Sequence, residues 1–288
     1  MRIKRSVLIF VEILAVLYIA YSALGLALYF MQPGFLYSPV REVSYTPEEL
    51  GLDFEKVIFK SSDGLTLSGW YIPAKNLEPT VLFCHGSGGN MTHCLDTINI
   101  LYNMGVNCFI FDYRGYGNSD GKPSEEGTYL DVRAAYKWLT EEKKISPDDI
   151  IVFGRSLGGS IATQLASKVK AGALIIESAF TSYVDIGSKF YPYMPVRWFA
   201  RFSYRTIDYV KKVHCPVMII HSRTDETIPF EFGLELYEAA NEPKEFVEIF
   251  GSHNDGFLVS SEVYKNAWTK CLKSFKKHKS HISRTRVS

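Results

Sequence analysis

Two patterns of hydrophobic and polar residues divide the chain. Residues 7–31 are almost continuously apolar, and Glu12 is the only charge among them. A run of this length is enough to cross the hydrocarbon core of a bilayer as a helix, and it exceeds the apolar core of a typical signal peptide. The pattern therefore predicts an uncleaved transmembrane anchor over residues 7–31, preceded by a short N-terminal segment, residues 1–6. Cleavage at the small-x-small pair Ala23 and Gly25 is the alternative, but the apolar run continues past this pair to Met31.

From residue 55 the pattern changes to short β-branched and aromatic runs that alternate with segments of helical periodicity. This alternation is typical of a mostly parallel sheet with helices on both faces. A turn signal at residues 62–64 separates the first two runs and predicts an antiparallel ribbon at the edge of the sheet. The predicted strands begin near residues 56, 65, 80, 106, 149, 173, 215 and 244.

Helical periodicity places helices between these strands. Helices are predicted over residues 91–104, 124–144, 231–240 and 261–276, and another follows residue 156 to about residue 169. The fold class is thus α/β, with a single domain over residues 55–276. Residues 32–54 are interpreted as a linker and entry segment, and residues 277–288 as a basic tail that lacks an apolar pattern.

The composition narrows the function classes. With 288 residues, of which 47% are hydrophobic and 22% charged, the chain is long enough for one large core and does not have a disordered composition. A formal net charge of +1 supplies no global field for binding nucleic acid. The five cysteines form no C-x-x-C motif or Cys/His cluster at metal spacing, so no metal site is predicted. These properties favour a small or apolar substrate.

Candidate chemistry begins at residues 154–158, whose sequence G-R-S-L-G matches the pattern G-x-S-x-G. The match follows a predicted strand and precedes a predicted helix, which is the context of a nucleophile elbow. In such an elbow Ser156 occupies a strained turn, and the small flanking residues let strand and helix approach each other closely. The competing interpretation is a glycine-rich turn without a catalytic function.

A serine nucleophile needs a general base and a third group that orients the base. In the elbow context the acid comes first along the chain and the histidine second, each after a later strand. Asp225 follows the penultimate predicted strand, and His253 follows the last one. Glu177, after the strand before those two, is the alternative acid. We therefore predict Ser156 as nucleophile, His253 as base and Asp225 as acid.

The oxygen of a tetrahedral intermediate needs preorganised hydrogen-bond donors. The first predicted donor is the amide N–H of Leu157, directly after the candidate nucleophile. Residues 85–90, H-G-S-G-G-N, form a glycine-rich loop after an earlier strand, and the amide N–H of Ser87 is the predicted second donor. On its own this loop would indicate only a flexible glycine-rich segment.

Together these motifs resemble the α/β-hydrolase superfamily, and within it the compact membrane-anchored α/β-hydrolase-domain serine hydrolases related to protein depalmitoylases. The resemblance extends from residue 35 to the last predicted helix. It rests on the segments DGLTLSGWYIP, HGSGGN, DYRGYGNSDGKPSEEG, GRSLGG, HSRTDETIP and SHND. Two departures are that Ser87 stands where relatives often have asparagine, and that HSRTD lacks the glycine common after its histidine. The resemblance implies the α/β-hydrolase fold, here preceded by one N-terminal transmembrane helix.

The resemblance also implies a Ser-His-Asp hydrolase of ester, thioester or amide bonds. We expect a carboxylic ester or thioester substrate of small-molecule, acyl or lipid type, an acyl-enzyme intermediate, and no metal or organic cofactor. A serine peptidase or aminopeptidase on the same fold is one alternative, and a non-catalytic binding protein that kept the fold is another. The aromatic residues between positions 180 and 209 either line an acyl pocket or pack on the sheet near the membrane interface.

The basic residues around the apolar run predict its orientation. Arg2, Lys4 and Arg5 precede the run, and Arg41 is the first basic residue after it. By the positive-inside rule the N-terminus then lies in the cytoplasm. The prediction is a single-pass membrane protein whose catalytic domain faces the outer side, in the periplasm, the extracellular space or an organelle lumen.

Overall fold

The computed structural model describes residues 2–74 and 79–285. Its strands are β1 (Ser38–Pro39), β2 (Glu55–Lys60), β3 (Thr66–Ile72), β4 (Thr80–Cys84), β5 (Gly88–Gly89), β6 (Asn107–Phe111), β7 (Ile150–Arg155), β8 (Ala173–Glu177), β9 (Val217–Ser222) and β10 (Lys244–Ile249). Eight of them form one sheet in the order β10-β9-β8-β7-β4-β6-β3-β2.

The large sheet is parallel except at one end. All neighbours from β10 to β6 pair in parallel, whereas β3 pairs antiparallel with both β6 and β2. The β2–β3 hairpin forms this end of the sheet, as the turn signal at residues 62–64 predicts. Each of the eight apolar runs contains a strand of the sheet, so the structure confirms the mostly parallel α/β architecture.

The helices agree with the predicted periodicity, with differences at their ends. They are α1 (Arg2–Leu36), α2 (Leu95–Asn103), α3 (Glu125–Lys137), α4 (Leu157–Ala166), α5 (Tyr183–Phe190), α6 (Val196–Phe199), α7 (Thr206–Val210), α8 (Phe230–Ala239), α9 (Gly256–Val259) and α10 (Ser261–Thr285). A 3₁₀ turn at Met91–Cys94 precedes α2, and a π turn at Trp138–Glu142 follows α3. Helix α10 continues past residue 276, because the basic segment as far as Thr285 contains no glycine or proline to end it.

The core consists of two apolar layers, one on each face of the sheet. Helices α3, α4 and α8 cover one face, where Ile161 and Leu165 of α4 are fully buried. Helices α2 and α10 cover the other face through residues such as Ile98 and Trp268. Strand β4 lies between the layers and is buried along its whole length. Burial on both faces explains why its sequence is continuously apolar rather than alternating.

Helix α1 contains the predicted span and continues into the predicted linker as far as Leu36. One residue later the chain forms β1, which pairs in parallel with β5 of the loop at residues 85–90. In this pairing Ser38 lies opposite Gly88. The sequence patterns do not predict this two-residue pair. It connects the end of the N-terminal helix directly to the loop that carries Ser87.

Residues 180–209, which we call the aromatic segment, leave the sheet after β8 and contain α5, α6 and part of α7. Phe180, Phe202 and Tyr204 are buried in the core layer of α4. Other aromatic side chains of the segment, including Tyr193 and Trp198, are exposed. Part of the segment therefore packs on the body of the protein, which is one of the two interpretations that the sequence allows.

Candidate active site

Ser156 lies in the sharp turn between β7 and α4. Its backbone angles are φ 56° and ψ −124°, a conformation that is rare and strained for a residue with a side chain. The Ser156 N–H donates a hydrogen bond of 2.9 Å to the carbonyl oxygen of Glu177, at the end of β8. This is the strand–turn–helix geometry that the G-x-S-x-G pattern predicts.

Close backbone contacts require the glycines on either side of Ser156. A Cβ atom at Gly154 would lie 2.1 Å from the carbonyl oxygen of Gly158. A Cβ atom at Gly158 would lie 2.0 Å from the carbonyl oxygen of Cys84, the last residue of β4. Neither position accepts a side chain unless the backbone moves. The two glycines therefore let β7, α4 and the end of β4 approach each other closely.

His253 and Asp225 reach Ser156 from the loops that follow β10 and β9. The Nε2 atom of His253 lies 3.0 Å from Ser156 Oγ. The Nδ1 atom of the same ring lies 2.8 Å from Asp225 Oδ2. The Asp225 side chain is fully buried, and that of His253 is 9% exposed. The structure thus brings the three predicted residues together at hydrogen-bonding distances.

Asp225 is held by the backbone of its own loop. Its Oδ1 atom accepts hydrogen bonds from the N–H groups of Thr227, at 2.9 Å, and Ile228, at 2.7 Å. Burial raises the pKa of the Asp225 carboxyl, but the hydrogen bond and charge of His253, with these two N–H donors, bring the pKa below its ordinary value. Asp225 is therefore a carboxylate at neutral pH, and its Oδ2 atom faces His253.

Glu177, the alternative acid, has other partners. Its Oε1 atom accepts a hydrogen bond of 2.7 Å from Arg155 Nε, and its Oε2 atom accepts one of 2.8 Å from the Tyr264 hydroxyl. The Glu177 side chain is buried. Both of its oxygens are directed at groups other than His253. The geometry therefore places Asp225, and not Glu177, next to the histidine.

The two predicted oxyanion donors belong to backbone segments beside Ser156. Leu157 is the first residue of α4, and an N–H in the first turn of a helix has no acceptor within the helix. On the opposite side, a Cβ atom at Gly86 would lie 3.5 Å from the Cβ atom of Ser156. Ser87 follows Gly86, and its carbonyl oxygen accepts hydrogen bonds from the Ser38 N–H and the Tyr116 hydroxyl.

The sequence patterns do not identify a buried pair of side chains, His85 at the start of the loop at residues 85–90 and Asp112. His85 Nε2 lies 3.5 Å from Asp112 Oδ1, and the Asp112 carboxyl also accepts a hydrogen bond of 2.8 Å from the Met91 N–H. Burial lowers the pKa of His85 to about 4, and burial raises the pKa of Asp112 to about 7. The only signal in the sequence is that each residue directly follows an apolar strand.

Arg155 is a second group that sequence reasoning missed. Besides its bond to Glu177, its Nη2 atom donates to the Thr97 hydroxyl at 3.0 Å. Its guanidinium carbon lies 4.1 Å from the ring centroid of Phe257, in α9 just after His253. Arg155 thus connects the turn of Ser156 with the segment that carries the histidine. A lone charge in an apolar and glycine-rich turn is the signal that could have identified it.

In this site the Ser156 hydroxyl contacts the His253 imidazole, and the imidazole contacts the Asp225 carboxylate. Backbone N–H groups lie nearby. This arrangement is suited to acyl transfer through a serine nucleophile. Among the side chains that the structure describes, those of residues 5–74 and 79–274, no group of three or more His, Cys, Asp or Glu could hold a metal ion.

Comparison with protein families agrees with the architecture. Residues 79–183 match the sequence model of the alpha/beta hydrolase fold family. The matched region contains the loop of Ser87 and the turn of Ser156. Among solved structures, the chain is similar to an esterase of Pyrococcus furiosus, with a TM-score of 0.69 and 26% identity over 82% of this chain and 98% of the esterase.

Curated relatives cover most of the chain. An uncharacterized protein of Mycobacterium tuberculosis is 36% identical over 214 residues, which are 73% of this chain and 76% of the relative. The alpha/beta hydrolase domain-containing protein WAV2 of Arabidopsis thaliana is 35% identical over 243 residues, which are 76% of this chain and 78% of the relative. With this similarity and the observed fold, the chain belongs to the α/β-hydrolase family.

Proposed function

We propose that this α/β hydrolase is a membrane-anchored serine hydrolase that cleaves carboxylic ester or thioester bonds. The observation that carries the proposal is the continuous set of contacts from Asp225 through His253 to Ser156. The esterase name of the Pyrococcus furiosus structure supports ester chemistry for this chain. The resemblance to the group that contains protein depalmitoylases supports thioesters as a second substrate type.

In the proposed mechanism His253 acts as the general base. Asp225 Oδ2 accepts the Nδ1–H of the ring, so the lone pair of Nε2 faces the hydroxyl of Ser156. As Ser156 Oγ attacks the substrate carbonyl, its proton moves to His253 Nε2, and the carboxylate of Asp225 stabilises the imidazolium that forms. His253 then gives this proton to the leaving alcohol or thiol, and an acyl group remains on Ser156.

The second half of the reaction uses the same groups. A water molecule loses a proton to His253 as it attacks the acyl-enzyme, and the carboxylic acid product leaves Ser156 in its starting state. In both halves the negative oxygen of the tetrahedral intermediate accepts hydrogen bonds from the amide N–H groups of Leu157 and Ser87. The position of Ser156 favours this arrangement because its side chain lies beside the loop of Ser87, where a Cβ atom at Gly86 would be 3.5 Å from the Ser156 Cβ atom.

The membrane part of the proposal rests on α1. The helix from Arg5 to Leu36 is strongly apolar, and the most apolar part of it is not buried within the structure. By length and composition it is able to cross a bilayer. The basic residues before the span, compared with the single Arg41 soon after it, favour a cytoplasmic N-terminus. The hydrolase domain is then on the outer side of the membrane.

A fluorophosphonate probe tests the nucleophile, because it forms a covalent bond with activated serines. We expect labelling of the full-length protein and none of Ser156→Ala. The matched control is Ser167→Ala, which removes a hydroxyl just beyond the other end of α4 and should keep full labelling. Equal labelling of the wild type and Ser156→Ala would show that the nucleophile is assigned incorrectly.

Substrate chemistry is tested with three substrate series, one for each type of bond. Esters and thioesters of increasing acyl length are compared with aminoacyl amides under the same conditions. We expect turnover of esters or thioesters that disappears in Ser156→Ala. Turnover restricted to the amides would instead indicate a serine peptidase, and probe labelling without turnover in any series would indicate that other substrates must be tested.

A further inference from the structure

The aromatic segment carries an exposed group of aromatic and basic side chains. Its members are Lys189, Phe190, Tyr191, Tyr193, Arg197, Trp198 and Arg201, and we call them the aromatic–basic patch. Tyr193 is 96% exposed and Trp198 is 86% exposed, although large aromatic side chains are normally at least half buried. Residues 186–203 contain no acidic residue. The patch therefore combines uncovered apolar area with a net positive charge, although Arg197 Nη2 lies 3.9 Å from Oδ1 of Asp185, just outside the patch.

The patch is fixed against the C-terminal half of α1. The ring of Phe199 occupies the space beside Gly25, where a Cβ atom would lie 2.9 Å from Phe199 Cε1. The Gln32 side chain donates to the carbonyl oxygen of Phe199 at 2.7 Å and accepts from the Arg201 N–H at 2.7 Å. Helix α1 is thus joined to the patch mainly through Phe199, the neighbour of Trp198, by packing at Gly25 and by two hydrogen bonds at Gln32.

This contact lies at the level where α1 would leave the membrane. A helix needs about 20 residues to cross a hydrocarbon core of about 30 Å. Within the predicted anchor of residues 7–31, a crossing that begins at Val7 therefore ends near residue 26, and the remaining residues of the anchor lie in the interface. Gly25 is then at the boundary of the hydrocarbon. Gln32 lies about 10 Å further along the helix axis, at the level of the headgroups. Tryptophan, tyrosine, lysine and arginine are the residues that proteins place at this interface.

We propose that the aromatic–basic patch inserts into the interface of the phospholipid bilayer that α1 crosses, and forms a second membrane contact. The inference rests on the membrane anchoring in the proposed function and is independent of the serine chemistry. The occupant of the patch is a lipid surface because the patch adjoins the exposed apolar surface of α1, where the Arg201 guanidinium lies 5.9 Å from the centroid of the Tyr29 ring. Its basic residues suit the phosphate groups of lipids.

The second contact determines how the hydrolase domain faces the membrane. A single helix allows the domain to rotate and tilt, whereas a helix and a patch beside it restrict both motions. The aromatic segment begins after β8, the strand next to β7, at the same edge of the sheet as Ser156. Helix α1 also leads, through β1, to the loop of Ser87 beside Ser156, so a patch that limits tilting would keep the end of the sheet that carries Ser156 close to the lipid. Acyl chains of membrane-resident esters would approach the serine from the bilayer.

Tryptophan fluorescence tests this contact in the full-length protein. The chain has four tryptophans. Trp70 and Trp268 are buried, Trp138 packs 4.6 Å from the Phe109 ring, and Trp198 alone lies in the patch. The protein is reconstituted into phosphatidylcholine vesicles with plain or brominated acyl chains, since bromine quenches nearby indole rings. We expect bromination to reduce the emission of the wild type. The loss should disappear in Trp198→Phe and persist in the matched control Trp138→Phe.

The patch contact, the α1 anchor and the serine chemistry give different results in this experiment. Emission that bromination leaves unchanged, or reduces equally in wild type and Trp198→Phe, would overturn the patch contact while leaving the anchor intact. Failure of the protein to sediment with the vesicles would overturn both the anchor and the patch contact. Labelling of Ser156 by the fluorophosphonate probe is measured on the same samples. It reports both the folding of each variant and the serine chemistry independently of lipid contact.

Discussion

Asp225 and Glu177 lie near the ends of neighbouring strands, and both are buried carboxyl groups close to Ser156. What distinguishes them is the partner that each one faces. Asp225 is bonded to His253, whereas Glu177 neutralises Arg155 and accepts from Tyr264. A buried carboxylate beside an imidazole orients the ring and stabilises the imidazolium that forms during the reaction, while one beside a guanidinium mainly keeps a buried positive charge paired. We therefore expect different consequences when the two charges are removed.

The first prediction compares Asp225→Asn with Glu177→Gln. Asp225→Asn should lower kcat by a factor on the order of 10⁴, because the amide favours the wrong tautomer of His253. Glu177→Gln should leave more of the activity but cost about 3 kcal/mol of stability, because Arg155 keeps its charge in a buried position. Ester turnover and thermal unfolding measure the two effects. The reverse result, a large loss of kcat only in Glu177→Gln, would exchange the roles of the two acids.

The second prediction concerns the pH dependence of stability and uses Asp112→Asn. The pKa of Asp112 is 3.8 in its ordinary state and about 7 in the folded protein. The folded protein thus binds the Asp112 proton more tightly than the unfolded chain does. This adds to the free energy of unfolding at low pH, and the contribution is lost as the pH rises through about 7. The asparagine can still accept from the Met91 N–H but does not titrate. Relative to the variant, the wild type should therefore lose stability with rising pH.

Urea unfolding in detergent at about pH 5 and about pH 8 measures this difference. His85 contributes the opposite trend at acidic pH, because burial lowers its pKa to about 4. This burial is kept in Asp112→Asn, so the contribution of His85 is common to both proteins. The control is Asp148→Asn, which changes a surface carboxyl group in an ion pair with Lys170. Its stability should change with pH as that of the wild type does. Parallel curves for wild type and Asp112→Asn would contradict the assignment of a protonated, buried Asp112.

The residues of the site differ in how far the sequence predicts them. Ser156, Asp225 and His253 follow strands that are recognisable from their apolar runs, so their meeting at one edge of the sheet follows from the topology. Two buried pairs were not predicted: Arg155 with Glu177, and His85 with Asp112. They depend on which side chains of distant segments are buried together. No local pattern specifies such contacts, and they become visible only when the packing is known.

At the level of elements, the turn between β7 and α4 depends on backbone contacts that leave no room for a Cβ atom. The third prediction is that Gly158→Ala destabilises the protein by roughly 1–3 kcal/mol, because its methyl group would overlap the carbonyl oxygens of Cys84 and His85. If α4 or the end of β4 moved to make room for the methyl group, probe labelling of Ser156 would also fall. Differential scanning calorimetry and fluorophosphonate labelling measure the two effects.

A suitable control for this prediction is Gly88→Ala. A Cβ atom at Gly88 would meet nothing within 4 Å, so the melting temperature should change little. If Gly158→Ala were as stable as Gly88→Ala, the close contact between α4 and the end of β4 would be absent in solution.

The elements themselves were largely predictable, and the exceptions have physical causes. Strands of the main sheet carry long apolar runs, and their crossover helices carry a clear helical period. The pair of β1 and β5 escaped prediction because it consists of backbone bonds between a Ser-Pro and a Gly-Gly dipeptide, which have no side-chain pattern of a strand. The extension of α10 to Thr285 escaped because polar and basic residues form a helix without an apolar stripe.

For the whole molecule, the fourth prediction concerns the orientation of the proposed anchor. Arg5 and Tyr45 are both exposed and lie on opposite sides of the apolar span. In intact cells a membrane-impermeant maleimide should label Tyr45→Cys, whereas Arg5→Cys should react only after permeabilisation, because the positive-inside rule keeps the basic end in the cytoplasm. The wild type, with its five native cysteines, gives the background. Labelling of Arg5→Cys alone in intact cells would invert the proposed orientation.

The pairing of β1 with β5 has a consequence for any attempt to study the hydrolase domain without its anchor. Only Tyr37 separates the end of α1 from β1, and the Ser38 N–H is bonded to the carbonyl oxygen of Ser87. The Asn90 side chain, in the same loop, donates to the carbonyl oxygens of Val40 and Glu42. A soluble form cut after residue 42 would thus lose the strand that supports the proposed oxyanion loop. A cut placed before Tyr37 would keep it, so the choice of a few residues decides whether a truncated protein retains the native geometry around Ser156.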